Sequence, residues 1–249
     1  MPKGVLVDLR KCMGCRGCQV ACKQWNELSG VSTWNWGTYE NPPDLSPNTW
    51  SLIKFREIGE NGSVKWLFNK WQCMHCVKPA CVTVCPTSAL YKTEEGPVLY
   101  DESRCIGCQY CRIACPFSIP RFDWETNVVR KCTLCMDRIA DGLEPACVKT
   151  CPSGALSFDE REEVIAKANE AEAQGAYIYG RDEVGGTSWI YVSDVPFDKL
   201  GFPSVGTESY PEHSGTIWVS QMATVAVGAA ALAIYSLYLR RKKMEGAQR

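Results

Sequence analysis

The sequence lacks both the histidines and the charge excess on which several common functions depend. Its 249 residues include only two histidines, and 27 basic residues against 28 acidic ones leave a net charge of −1. A chain without excess positive charge has no global signature of nucleic-acid binding, so we expect no nucleic acid partner. His75 and His213 are isolated, and no constellation of acid, base and nucleophile accompanies them. The sequence therefore predicts no catalytic site on this chain.

A secretory signal is also missing, although one long apolar run is present. The first residues, MPKGVLVDLRKC, contain an apolar stretch of only Val5 to Val7. The segment from Ile217 to Leu239 carries no charge. At about 1.5 Å per residue a helix over it would reach across a bilayer core of about 30 Å. We predict a transmembrane helix over 216–240, with a buried core helix as the alternative.

The basic residues after this run predict the orientation of the chain. Arg240 to Lys243 read RRKK, and lysine and arginine beside a span stay on the cytoplasmic side. We therefore expect a single-pass protein of the cytoplasmic membrane, with the tail 241–249 in the cytoplasm and the head on the periplasmic, extracytoplasmic side. Without a signal of its own, the head would be exported folded on a partner that carries one. The alternative keeps the head inside, against the charge rule.

Cysteine is the residue that the sequence has in excess. Its sixteen cysteines fall into four groups of four. The first group is Cys12, Cys15, Cys18 and Cys22; the second is Cys73, Cys76, Cys81 and Cys85; the third is Cys105, Cys108, Cys111 and Cys115; the fourth is Cys132, Cys135, Cys147 and Cys151.

The spacing of these cysteines favours iron–sulfur clusters. The first and third groups both follow C-x2-C-x2-C-x3-C, the run in which three cysteines bind one four-iron cluster and the fourth binds its neighbour. Zinc is the less favoured alternative, because a third cysteine so close to a C-x-x-C pair is one ligand too many for a single tetrahedron. Disulfides are also disfavoured, because bridges between residues three apart are strained.

An internal repeat divides the cluster-binding region into two similar halves. Residues 5–22 align without a gap to residues 98–115, and residues 78–90 match residues 144–156. Each V-L-x-D run predicts a short strand that leads into a cysteine loop. Each CP-T/S-x-AL run predicts a cysteine that closes a helix, with proline turning the chain away. Gly14 and Gly107 are predicted either as turn residues or as points of close approach to inorganic sulfide.

The cysteine pattern resembles the four-cluster electron-transfer subunits of molybdenum or tungsten oxidoreductase complexes. Within that family, the segments CRGCQVACKQWNEL (15–28), NPPDLSP (41–47), EPACVKTCPSGALSF (144–158) and VGGTSWIYV (184–192) are most similar to the iron–sulfur, or beta, subunit of membrane-bound respiratory formate dehydrogenase. The resemblance covers nearly the whole chain. It implies four [4Fe-4S] clusters and an α+β fold of two interleaved two-cluster ferredoxin-like modules, rich in loops, followed by the transmembrane helix.

The resemblance also implies that cysteines are exchanged between the two halves. Set 1 is Cys12, Cys15, Cys18 and Cys151; set 2 is Cys22, Cys132, Cys135 and Cys147; set 3 is Cys73, Cys76, Cys81 and Cys115; set 4 is Cys85, Cys105, Cys108 and Cys111. Iron would be bound through these sixteen cysteines. One module is thus inserted in the other.

These sets imply a division of the chain into modules. The outer module comprises 1–30 and 125–160, the inserted module 65–124, the connecting insertion 31–64 and the C-terminal extension of the head 161–215. Within that extension, the charged and alanine-rich segment 159–176 predicts a helix with one narrow apolar side.

The function implied is electron transfer between two partners. A molybdopterin or tungstopterin subunit would oxidise formate, and a membrane cytochrome b-type subunit would deliver the electrons to quinone. One alternative is the same carrier in a membrane hydrogenase or a sulfur or sulfoxide reductase. Another is a structural protein whose clusters only hold the fold together, although a fold of this size needs fewer than four. For His75, which lies between two cysteines, a surface or packing role is simpler than tuning a cluster, and His213 is expected to be an interfacial polar residue.

Overall fold

The computed structural model describes residues 1–60 and 62–212, together with 225, 227–229, 232 and 236. The chain divides into two compact units, Met1–Ser209 and Tyr210–Arg249. Within the described part, no helix has both the length and the apolar character needed to cross a membrane. The predicted span 216–240, apart from those isolated positions, lies outside the described residues, as do the tail 241–249 and His213.

A four-stranded sheet joins the two ends of the first unit. The N-terminal strand β1 is central, antiparallel to β8 on one side and parallel to β10 on the other, and β9 completes the sheet beside β10. The bounds are β1 Lys3–Asp8, β8 Leu156–Glu160, β9 Tyr177–Tyr179 and β10 Trp189–Ser193. All five residues of β10 are buried. The segment predicted as a C-terminal extension therefore supplies two strands to the sheet that contains the N-terminus.

Helix α6, Arg161–Ala173, confirms the helix predicted over 159–176. Its buried residues Val164, Ala168 and Ala171 follow a spacing of four and three, which places them on one face of a helix. They form a small core with Ile190 and other residues of the sheet. The remaining face of α6 is charged and exposed.

Three two-stranded hairpins complete the strands of the described part. They are β2 Ser51–Glu60 with β3 Ser63–Gln72, β4 Leu90–Lys92 with β5 Val98–Tyr100, and β6 Arg121–Asp123 with β7 Val128–Arg130. The first hairpin pairs along its full length, so the module boundary predicted between residues 64 and 65 falls inside it.

The remaining helices are short and lie beside the cysteines. They are α1 Gly17–Trp25, α2 Ala80–Thr83, α3 Tyr110–Ala114, α4 Met136–Ala140 and α5 Ala146–Lys149, with 3-10 turns at Glu102–Arg104 and Glu183–Gly185. Strands β1 and β5 lie on the two V-L-x-D runs, as predicted. Helices α2 and α5 each end two residues before a cysteine, Cys85 and Cys151 respectively, and Pro86 and Pro152 then turn the chain away.

Candidate metal centres

The four C-x-x-C turns share one backbone feature. In each turn the residue before the second cysteine has a positive φ: +67° at Gly14, +48° at His75, +69° at Gly107 and +58° at Leu134. This left-handed conformation turns the chain back on itself, and turns of this kind form the backbone concavities of many iron–sulfur sites. Sequence reasoning identified the two glycines but missed His75 and Leu134, because side chains other than glycine give no compositional sign of that conformation.

Two cavities are each lined by four cysteines from distant parts of the chain. One is lined by the thiols of set 1 and the other by those of set 4. They enclose about 390 and 370 Å³ of space outside protein atoms, part of it open to solvent. The other walls are mostly apolar, with Val7, Ile53 and Leu156 in the first cavity and Leu90 and Val129 in the second. The structure thus brings Cys151 to Cys12, and Cys85 to Cys105.

Within set 2, and likewise within set 3, the thiols lie close enough to influence one another electrostatically. Burial, followed by the nearby charges of Cys22 and Cys135, raises the pKa of Cys132 well above its usual value. Burial is likewise the main cause that raises the pKa of Cys76, and the charges of Cys73, Cys115 and Cys81 add to it. Burial is also the main cause that raises the pKa of Cys22, and the nearby charge of Cys147 adds to it.

The four sets form a series. Cys18 of set 1 interacts electrostatically with Cys147 of set 2. Cys132 of set 2 interacts in the same way with Cys73 of set 3, and Cys81 of set 3 interacts with Cys111 of set 4. These couplings link set 1 to set 2, set 2 to set 3 and set 3 to set 4, so we take sets 1 and 4 as the two ends.

The ends of this series are more open than its middle. Cys15 of set 1 and Cys108 of set 4 are exposed, and they occupy equivalent positions in the internal repeat. All four thiols of set 2 are buried. Apolar side chains are exposed beside both end loops, again at equivalent positions: Met13 and Val20 in one repeat, Ile106 and Ile113 in the other.

The chemistry of these donors fits iron–sulfur clusters. All sixteen cysteines are free thiols, so the disulfide alternative is not realised. Burial raises the pKa of Cys18, Cys22 and Cys81 to about 12, which keeps them protonated at neutral pH in the absence of metal. Iron binds the thiolate and displaces that proton. These residues would therefore hold the clusters as thiolates. In so buried a site the thiolate is stable only when the metal is bound.

His75 is packed inside the head and not at its surface. The side chain is completely buried, and Nδ1 accepts a hydrogen bond of 2.8 Å from the backbone N–H of Val98. Burial, together with the charges of Lys131, Lys92 and Lys70, lowers the pKa of His75 well below its usual value, so the ring is neutral with its proton on Nε2. Nε2 has no hydrogen-bond partner in the described part of the chain. A sulfur acceptor bound at set 3 would satisfy this orphaned donor.

Comparison with protein families accounts for both halves of the cysteine pattern. Residues 11–89 and residues 64–161 match two families that are each described as a 4Fe-4S dicluster domain. Two dicluster domains provide four 4Fe-4S clusters, in agreement with sixteen cysteines in four sets. The fold is therefore a mixed α/β arrangement of ferredoxin-like dicluster domains.

Several curated proteins are similar over most of the chain. The formate dehydrogenase iron-sulfur subunit of Haemophilus influenzae is 40% identical over 249 residues, which cover 94% of this chain and 79% of that protein. The nitrate-inducible formate dehydrogenase iron-sulfur subunit of Escherichia coli K12 is 43% identical over 80% of this chain and 71% of its own length. In Nitratidesulfovibrio vulgaris, formate dehydrogenase 2 subunit beta (cytochrome c-553) is 41% identical over 68% of this chain and 82% of its own length. With this identity and coverage, the chain belongs to the family of formate dehydrogenase iron–sulfur subunits.

Proposed function

We propose that this chain carries electrons from the catalytic subunit of a formate dehydrogenase to a membrane cytochrome b-type subunit and quinone. The catalytic subunit would hold a molybdopterin or tungstopterin. The observation that supports this role best is the series of four cysteine sets with an exposed cysteine at each end. A structural protein needs neither a series nor open ends.

We assign one cluster to each of sets 1 to 4. When bound, each cluster supplies a centre that accepts and releases one electron. The chain itself holds the thiolates at the edges of four loops, excludes water with apolar walls and places buried cations among the sets. These features control the reduction potential of iron–sulfur centres in general. No acid or base on this chain is needed for the transfer.

The two exposed ends suit two different partners. Met13 and Ile106 line the cavities of sets 1 and 4 respectively, and Val20 and Ile113 are exposed on the helices that follow, α1 and α3. Exposed apolar side chains around a redox centre favour docking of a protein that excludes water there. We assign one end to the catalytic subunit and the other to the membrane subunit.

We also propose a membrane location, with the head on the extracytoplasmic side. The alignment with the Haemophilus influenzae relative takes in 94% of this chain, more than the residues before Ile217 could supply by themselves. At least part of the apolar run is therefore aligned with residues of that relative. Its small residues in VGAAALA, 227–233, permit close contact with a helix of a membrane partner. The basic residues that follow it support a cytoplasmic tail.

Single cysteine substitutions test the exchange of ligands between the halves. We expect Cys151→Ser and Cys15→Ser to change the electron paramagnetic resonance signal of one and the same cluster, while Cys22→Ser changes a different cluster, shared with Cys147→Ser. The matched comparison is Cys22 against Cys18, since both are buried on helix α1. If Cys22→Ser and Cys18→Ser alter the same cluster, each group of four binds its own metal, and the assignment to sets is wrong.

Purification of the native complex tests the partners and the location. We expect the chain to remain with membranes after a salt wash and to co-purify with a large pterin-containing subunit and a haem-containing membrane subunit. The control is a chain that ends at Glu212, which should keep its iron but leave the membrane fraction. Recovery of the intact complex in the soluble fraction would contradict the proposed membrane partner. A soluble cytochrome c that accepts its electrons would then take the place of that partner.

A further inference from the structure

Lys70 is a completely buried cation with no carboxylate partner. It lies on β3, and only 2% of its surface is exposed. Its ammonium donates hydrogen bonds to Ser51 Oγ at 2.6 Å and Gln72 Oε1 at 3.2 Å, and it lies 4.8 Å from the centre of the Trp189 ring. No ion pair found in the described part of the chain includes it.

An arrangement of this kind is unfavourable unless an anion lies nearby. Removing a charge from water carries a large free-energy cost, and neutral hydrogen-bond partners recover only part of that cost. The groups whose negative charge would act most strongly on Lys70 are Cys147, Cys18, Cys132 and Cys22. The nearest groups that can supply an anion are cysteines of the sets, which become thiolates when they bind metal.

These thiolates belong to two neighbouring sets. Lys70 lines the cavity of set 1 together with Cys12, Cys15, Cys18 and Cys151. The other three neighbours, Cys22, Cys132 and Cys147, are members of set 2. The backbone of Lys70 is itself fixed, because its carbonyl accepts a hydrogen bond of 3.0 Å from the Tyr191 hydroxyl. The cation is thus held in one place beside two sets.

We propose that Lys70 is a shared positive charge that raises the reduction potentials of the clusters at sets 1 and 2 together. Each reduction adds one negative charge to a buried site, and a fixed cation nearby favours the reduced state. Because one ammonium lies near both sites, it raises both potentials at the start of the series. Lys70 acts through the clusters, so it is a tuning residue. The inference rests on the assignment of clusters to sets in the proposed function.

Three substitutions separate the charge of Lys70 from its size. Lys70→Gln removes the charge and keeps polar atoms near Ser51, whereas Lys70→Arg keeps the charge. Lys131→Gln is the matched control: it removes another buried lysine, whose ammonium donates to the carbonyl of Cys132 at 3.1 Å and interacts with Cys81 and Cys115 of set 3. All variants are prepared as the membrane complex and titrated by potentiometry with electron paramagnetic resonance detection.

We expect Lys70→Gln to lower the potentials of two of the four clusters. At a fixed ambient potential the ratio of reduced to oxidised centre should fall at least tenfold for each, which corresponds to about 59 mV for one electron. Signals that are altered by Cys15→Ser and Cys22→Ser identify these clusters as those of sets 1 and 2. Lys70→Arg should remain near the wild type. Lys131→Gln should change the set 3 signal and leave set 1 unchanged.

The comparison of Lys70→Gln with Lys70→Arg decides the inference. Equal potentials in the two variants, whether shifted or not, would show that the charge is not the cause. If Lys70→Gln loses the clusters of sets 1 and 2 while Lys70→Arg retains them, the requirement for charge is supported. Loss of clusters in both variants overturns it in favour of packing. A wild-type complex without four clusters of the assigned ligation would instead contradict the proposed function.

Discussion

At the scale of single residues, the glycines before the second cysteines are required by the protein and not by sulfide alone. A Cβ added at Gly107 would lie 2.8 Å from the backbone oxygen of Asn127, and one added at Gly14 would lie 2.8 Å from the Phe68 ring. The sequence left open whether these positions are turns or points of close approach. The positive φ at both positions confirms the turn, and the approaching group is another part of the chain, whereas close approach to sulfide stays a prediction.

Substitution of Gly107 tests how much the close contact with Asn127 adds to the loss of stability that a side chain causes at a positive φ. Gly107→Ala should destabilise the head by about 1–2 kcal/mol more than Gly142→Ala. Gly142 has a similar φ of +73°, but nothing lies within 4 Å of its added Cβ, so it reports the backbone strain alone. The measurement is the urea midpoint of each cluster-loaded variant, followed by far-UV circular dichroism. Equal midpoints would mean that the backbone at Asn127 gives way without cost.

At the scale of elements, the sequence predicts what is encoded locally and misses what depends on distant pairing. The V-L-x-D strands and helix α6 carry their own signals, namely a short apolar run before a turn and a spacing of three and four residues. The parallel pairing of β1 with β10 joins Val5 to Trp189, and no short motif encodes such a contact. The boundary predicted at 64/65 has a different origin: it follows the cysteine groups and overlooks Asn61-Gly62, a two-residue hairpin turn signal that lies between β2 and β3.

Helix α6 gives a test of packing that is remote from the cysteines. Ala168 is completely buried against the sheet, whereas Ala166 on the same helix is exposed. Ala168→Leu should overfill this small core and lower the free energy of unfolding by about 1–3 kcal/mol. Ala166→Leu should change it by less than about 0.5 kcal/mol.

Chemical denaturation of both variants measures the difference, and visible absorption of the folded proteins reports the clusters. We expect that absorption to be the same in both, because α6 contributes no cysteine. A smaller effect at Ala168 than at Ala166 would show that the second core is not tightly packed.

At the scale of the whole molecule, four metal sites could be predicted from the number and spacing of the cysteines, but their electrostatic surroundings could not. Spacing identifies which thiols are available, and the repeat indicates how many sites they form. Nothing in the sequence around Lys70 or His75 shows that both are completely buried. They are enclosed by β2, β10 and β5, which are far apart in the chain. The buried polar groups beside the sites therefore become visible only in the folded protein.

The series of sets predicts the order in which the molecule loses its iron. Cys15 and Cys108 are exposed at the two ends, whereas all four thiols of set 2 are buried, and oxidants reach exposed thiolates first. When the full chain, separated from its partners, is treated with ferricyanide and an iron chelator, about half of the iron should leave in a fast phase, at about four iron atoms per cluster. The signals altered by Cys15→Ser and Cys108→Ser should disappear in that phase. In the intact complex the fast phase should slow, because the two proposed subunits would cover both ends. A single phase, or an initial loss of the cluster altered by Cys22→Ser, would contradict a chain of centres that is open only at its ends.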